Sequence, residues 1–191
     1  MNLELEKELV KRAQNEPEAF SELYDLNYSK IFGYILRRVA NIEIAQDITS
    51  ETFFKSLKNI GKFKWRNISF SAWLYRIASN EIATYFRKNK YKPTSFEKIV
   101  EPTILSNPLE DFIEAEEELK KQKDFLEIQQ KISQLPNIYQ EIIVLKFFEK
   151  KKIKEIAEIL GKREGTVKSL LHRGLEKLRK LMDATHPPPS R

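Results

Sequence analysis

Apolar residues recur at helical spacing along most of the chain. Phe20, Leu23, Tyr24, Ile31, Ile35 and Val39 are separated by steps that keep them on one side of a helix, so they form its predicted buried face. Asn15 with Glu18 three residues on, and Pro17 between them, predicts a capping box at the start of this helix. A second helix is expected from about Ile44 to Leu57. A third begins near Ser71 and buries Leu74, Ile77, Ala78, Ile82 and Tyr85. No segment alternates with period two between turn signals, so the expected fold class is all-α.

The helical pattern breaks once. Pro93, Pro102 and Pro108, with Thr94, Ser95, Thr103, Ser106 and Asn107 among them, interrupt any helix there. The expected organisation is two small helical domains, 1–92 and 127–183, joined by a flexible acidic linker, 93–126. Residues 184–191, which end in His186-Pro-Pro-Pro-Ser-Arg191, read as a disordered tail.

Charge sharpens this division. The net +6 hides a basic stretch over 1–90 (15 basic, 11 acidic), an acidic stretch over 91–127 (5 and 10) and a basic one over 128–191 (14 and 7). Between Lys55 and Lys90 nine basic residues face a single acid, Glu81. Two basic domains around an acidic connector suggest polyanionic partners. The connector itself reads either as a solvated spacer or as a functional acidic strand.

Composition removes other classes. The 191 residues include no cysteine and only two histidines, His172 and His186, and the five glycines form no phosphate-cradling loop. No disulfide, cofactor or metal site is expected, and a nucleic-acid-processing enzyme would need a metal or nucleophile cluster that the sequence does not offer. The first residues alternate charge with apolar side chains, unlike a signal peptide, and no run of about 18 apolar residues occurs. The expectation is a soluble, cytoplasmic protein without stable membrane insertion.

Two stretches carry candidate chemistry. On the third helix Arg76, Asn80, Thr84 and Arg87 share one side, with Lys88 beside them, a stripe able to neutralise phosphates and bond base edges. In the loop before it Phe63, Trp65 and Phe70 interleave with Lys62, Lys64, Arg66 and Asn67. That is the composition of a single-strand-binding surface, although the rings could equally seal a small core. Further on, Ile153, Ile156, Ala157, Leu160, Gly161, Val167 and Leu170 fit the apolar, small and turn positions of a helix-turn-helix. Its second helix would turn Arg163, Glu164, Thr166, Lys168, Ser169, His172 and Arg173 outward, toward a major groove.

These pieces resemble a known family. Gln134-Leu-Pro-Asn-Ile-Tyr-Gln-Glu-Ile-Ile-Val-Leu145, Glu155-Ile-Ala-Glu-Ile-Leu-Gly161 and Gly165-Thr-Val-Lys-Ser-Leu-Leu-His-Arg-Gly174 resemble sigma domain four of bacterial sigma factors. Asp47-Ile-Thr-Ser-Glu-Thr-Phe53 and Phe70-Ser-Ala-Trp-Leu-Tyr-Arg-Ile-Ala-Ser-Asn80 resemble sigma domain two. The short length is similar to that of the extracytoplasmic function (ECF) group. The resemblance implies a non-catalytic factor that binds RNA polymerase core, selects promoters and helps melt DNA. It implies that Asp47, Glu51 and Phe54 meet the β′ clamp helices and that domain four meets the β flap. It further implies that the Gly61 to Ser69 loop and the Arg76 to Arg87 side read the minus ten element as single strand, that the second helix-turn-helix helix reads the minus thirty-five element, and that the linker threads through polymerase. Trp73 is expected to pack, and an anti-sigma factor is an implied partner.

Departures from the family pattern are visible. Arg163 stands where a small capping residue is usual, Leu170 where Arg is usual, Ser50 where Gln is frequent, and Lys150-Lys151 where Gly-Leu is common. The competing expectation is a stand-alone helix-turn-helix regulator, which would leave the aromatic loop and the Asp47/Glu51 helix without a purpose.

Overall fold

The computed structural model describes residues 3–65, 68–88 and 127–184. The linker 93–126, most of the tail, and Arg66 and Asn67 lie outside the described residues. Every regular element among the described residues is helical. In the first module these are α1 (Leu3–Asn15), a 3-10 turn (Pro17–Ala19), α2 (Phe20–Val39), α3 (Ile42–Asn59), a second 3-10 turn (Ile60–Lys62) and α4 (Phe70–Lys88). The second module holds α5, helical over 127–133, then α6 (Asn137–Ile143), a π turn (Val144–Phe148), α7 (Ile153–Leu160) and α8 (Glu164–Asp183).

The expected capping box does not form. Leu9, Val10 and Ala13 are buried, which carries α1 on through Asn15, so this residue stays helical and cannot take the extended conformation of an N-cap. Its amide donates back to the Lys11 carbonyl instead (3.0 Å), and Glu18 falls in the 3-10 turn. The predicted apolar faces otherwise hold. Phe20, Leu23, Ile31, Ile35 and Val39 are buried, as are Leu74, Ala78 and Ile82, while Ile77 and Tyr85 are half-buried. Tyr24 departs from the expectation. It is 37% exposed, with its ring lying on Phe53 at 4.6 Å.

Helix ends in the first module are fixed by specific partners. Ala40 adopts a left-handed conformation (φ 52°) that stops α2, and the Asn41 side chain then accepts the Ile44 N–H (2.9 Å) to start α3. At the start of α4, the Ser69 hydroxyl accepts from the Ala72 N–H (3.0 Å) and the buried Glu6 carboxylate accepts from the Ser71 N–H (3.1 Å). A carboxylate is favoured at this positive helix end, yet burial pushes the Glu6 pKa upward.

In the second module Gly161 supplies the expected turn, with φ 61° and its following residue, Lys162, bonded back to Ala157 (2.9 Å). Lys150 also takes a left-handed conformation (φ 52°), without a glycine's freedom. Gly174 is buried where α8 crosses α6; a Cβ there would lie 3.2 Å from that of Tyr139, so the two helices approach more closely than any larger residue allows. The modules are in contact. α4 packs on α7, α2 packs on the π turn, and one hydrophobic cluster runs through both.

Candidate nucleic-acid interface

A cleft of about 550 Å³ opens beside α4. One wall is α3, which contributes Lys55 and Asn59; the loop supplies Lys62, Phe63 and Lys64; the floor and far wall are Trp73, Arg76, Asn80 and Glu81 of α4. The aromatic loop is therefore not purely core and not purely surface. Phe70 is fully buried, whereas Phe63 and Trp73, 4.9 Å apart, are half-buried and face the cleft. Trp65 meets Phe63 edge-on at 6.1 Å but stands outside the lining.

The loop is held from a distance. The Gln14 amide donates to the carbonyls of Ile60 (3.0 Å) and Phe63 (2.9 Å), so α1 clamps the turn that carries the cleft's cations. Lys55 is held between two acids, with Nζ 2.8 Å from Glu81 and 3.1 Å from Glu51; the hydrogen bond to Glu81 is the main cause that raises its pKa. The charge of Lys55 is thus largely spent within the protein. Lys62, Lys64 and Arg76 are the exposed cations of the cleft.

Of the expected minus ten residues, Lys62, Phe63, Arg76 and Asn80 come together here. Thr84, Arg87 and Lys88 continue along α4 past the cleft, with the two basic residues in the last turn, where cations also suit the helix dipole. Lys55, Asn59, Glu81, Glu158 of α7, which also lines the cleft, and the cleft-facing role of Trp73 were not anticipated. The i, i+4 spacing of Lys55 and Asn59 was the available signal. Gln14 gave none, because its partners lie 46 and 49 residues away.

On α3, Asp47, Glu51 and Phe54 are all exposed, Phe54 by 60%, and Leu57 joins them. Tyr24, Tyr28 and Phe32 form a ring row along α2, with neighbouring centroids 5.2 and 5.9 Å apart, and Tyr24 and Tyr28 both meet Phe53 of α3. An exposed apolar strip beside two unburied carboxylates is suited to a protein partner.

The helix-turn-helix is formed by α7 and α8. Val167 is buried and Leu170 half-buried on its inner side, while Arg163, Glu164, Thr166, Lys168, Ser169, His172 and Arg173 are exposed. Arg163 is the N-cap of α8 and makes no side-chain cap, as its departure from a small residue implies. The Ser169 hydroxyl donates to the Gly165 carbonyl (3.0 Å), and Arg173 Nε donates to the Ser169 carbonyl (3.3 Å). Lys168 makes no such bond to its own helix.

Known proteins share both modules in this order. Residues 23–91 match the Sigma-70 region 2 family and residues 125–178 the Sigma-70, region 4 family. The ECF RNA polymerase sigma factor SigW of Bacillus subtilis is 34% identical over 183 residues, which span 94% of this chain and 97% of that protein. Among solved structures, CnrH in complex with the cytosolic domain of CnrY superposes with a TM-score of 0.67 at 20% identity, over 94% of this chain and 97% of that one. The Bartonella quintana sigma factor RpoE, solved with the anti-sigma factor NepR, gives 0.63 at 19% identity, over 86% and 96%. These two likenesses concern the fold, whereas the matches in sequence extend to kinship. With both sigma regions present in order and a full-length relative above 30% identity, the chain belongs to the ECF sigma factors of bacterial RNA polymerase.

Proposed function

We propose that the two modules divide promoter recognition between an unpaired and a paired element. Asp47, Glu51 and Phe54 dock on the β′ clamp helices of polymerase core, and the second module meets the β flap. The cleft receives an extruded base of the minus ten element. Phe63 and Trp73 stack it, Asn80 bonds its edge, and Lys62, Lys64 and Arg76 neutralise flanking phosphates, with Trp65, Arg66 and Asn67 beside the loop and Thr84, Arg87 and Lys88 further along the strand. Flipping a base costs about a few kcal/mol, which stacking and hydrogen bonds inside the cleft offset.

The α8 face enters the major groove of the minus thirty-five element. Arg163, Glu164 and Thr166, near the helix start, choose bases, while Lys168 and Arg173 hold phosphates. Ser169 and His172 complete that surface. The boundaries 1–92, 93–126 and 127–183 mark the two working domains and the acidic strand that threads through polymerase. An anti-sigma factor is a further partner, in keeping with the co-crystallised relatives, and the site of action is the cytoplasm. Among the described residues no helix is long and apolar enough to cross a membrane. A stand-alone regulator is not favoured, since both sigma regions are present.

The convergence of two rings, an amide and three free cations on one opening carries this reading. Reconstitution with core polymerase tests it. Asn80→Ala is expected to impair promoter opening, followed with a fluorescent base analogue, by about fivefold, since one amide bond contributes roughly 1 kcal/mol, while core binding stays within about twofold of the parent because Asn80 lies in the cleft and not beside Asp47, Glu51 and Phe54. Equal loss of both would remove Asn80 from the DNA surface.

A further inference from the structure

The stretch 150–154, which leads into α7, carries three features that work against stability. Lys150 adopts a left-handed backbone (φ 52°), which crowds the Cβ of any residue but glycine. Lys150, Lys151, Lys152 and Lys154 bring four like charges together within five residues. They stand at the start of α7 (Ile153–Leu160), the positive end of its dipole, where cations are disfavoured.

The chain does not offset these costs with partners of its own. Glu149, its side chain 8% exposed, turns inward, where it pairs with Arg37 Nη1 (3.2 Å) and accepts from the Tyr75 hydroxyl. Lys151 also turns inward, 4.6 Å above the Tyr75 ring. Lys150, Lys152 and Lys154 are exposed. None of these three forms an ion pair among the described residues. Glu155, the acid next to them in sequence, accepts from the Lys152 backbone N–H (2.8 Å) and so serves the helix end.

Unpaired cations that cost stability where they stand suit an external polyanion. We propose that Lys150, Lys152 and Lys154 form a phosphate clamp for duplex DNA, gripping the backbone beside the groove that α8 enters. The inference rests on the reading of α8 as the groove helix. In a helix-turn-helix the first helix crosses the sugar-phosphate backbone when the second lies in the groove, which brings the start of α7 to the phosphates. Phosphate contacts carry no sequence information, so the clamp raises affinity for every duplex and fixes register without choosing bases. Lys150 thereby exchanges stability for grip.

Full-length protein and a fluorescein-labelled, random-sequence duplex test this, with anisotropy read between about 50 and 200 mM salt. Lys150→Gly is expected to move two readouts in opposite senses. Its thermal midpoint rises by about 2–4 °C as the strain is relieved. Its duplex binding weakens by about fivefold, and the slope of log affinity against log salt falls by about 0.9. Adding Lys152→Ala and Lys154→Ala should bring the fall in slope to about 2–3, alike on duplexes of unrelated sequence. A charge-matched control at exposed lysines of the first module, Lys11→Ala with Lys58→Ala, should change the slope by less than about 0.3. An equal fall in the control would reduce the effect to net charge and overturn the clamp. A raised midpoint with unchanged duplex affinity overturns it as well, as does weaker binding to polymerase core at an unchanged duplex slope, which would assign the lysines to a protein. In all three outcomes the α8 reading stands if Lys168→Ala still lowers the slope. If Lys168→Ala and Arg173→Ala both leave the slope unchanged, that reading falls, and the inference with it.

Discussion

The cleft of the first module takes its walls from α3, a loop and α4, and its stiffness from Gln14 of α1, whereas the candidate surface of the second module is one side of a single helix. An unpaired base has two faces and an edge, so capturing it needs rings and an amide set around a hollow. A duplex already presents its bases in a groove, and a helix of suitable polarity only has to lie in it. The difference teaches that the first surface depends on tertiary assembly and the second on seating of one helix.

The largest expected effect attacks that seating. Gly174→Val forces a branched side chain into the crossing of α8 with Tyr139 and Ile143, and should destabilise the protein by about 1–3 kcal/mol, read as a lower midpoint in thermal unfolding. Duplex binding should fall with it. Retention of full duplex affinity would show that the α8 face works without its seat.

Next comes the cleft. Trp73→Ala removes a ring that touches Phe63 and Phe70 and faces the opening, and base stacking is worth about 1–3 kcal/mol. Promoter opening in a reconstituted system should drop about tenfold, while binding to a minus thirty-five duplex changes little. A matching loss on the duplex would erase the division between the modules.

Smaller effects sharpen the second surface. Lys168→Ala should weaken duplex binding alike across sequences and reduce the slope of log affinity against log salt by about 0.9. An unchanged slope would take Lys168 off the phosphates. Arg163→Ser should stabilise by about 0.5–1 kcal/mol, because serine restores the missing cap of α8, while altering base preference. No gain in unfolding midpoint would mean that water or a neighbour already serves that helix end.

Much of this was legible in the sequence, for identifiable reasons. Helices α2, α3, α4 and the helix-turn-helix follow from apolar spacing because each buries one long face, and the Gly161 turn follows from the glycine itself. Helix α1 was not recognised, since charge alternates with Leu3 and Leu5 before Leu9, Val10 and Ala13 reach the core. The Asn15 capping box failed for the same reason. A cap signal is local, but whether a helix has ended is decided by what its preceding turn buries. In the cleft, Lys62, Phe63, Arg76 and Asn80 could be read from one continuous stretch. Gln14, Asn59 and Glu158 arrive from distant parts of the chain, and nothing in their own neighbourhoods marks them.

The Gln14 clamp reaches further than the loop it holds. A Gln14→Leu protein would keep the core that α1 builds, together with Asp47, Glu51 and Phe54 and the whole helix-turn-helix, the surfaces proposed above for polymerase and duplex. With Ile60 and Phe63 untethered it would open promoters poorly. Such a variant is expected to act as a competitor, a decoy subunit that sequesters polymerase at promoters it seldom fires.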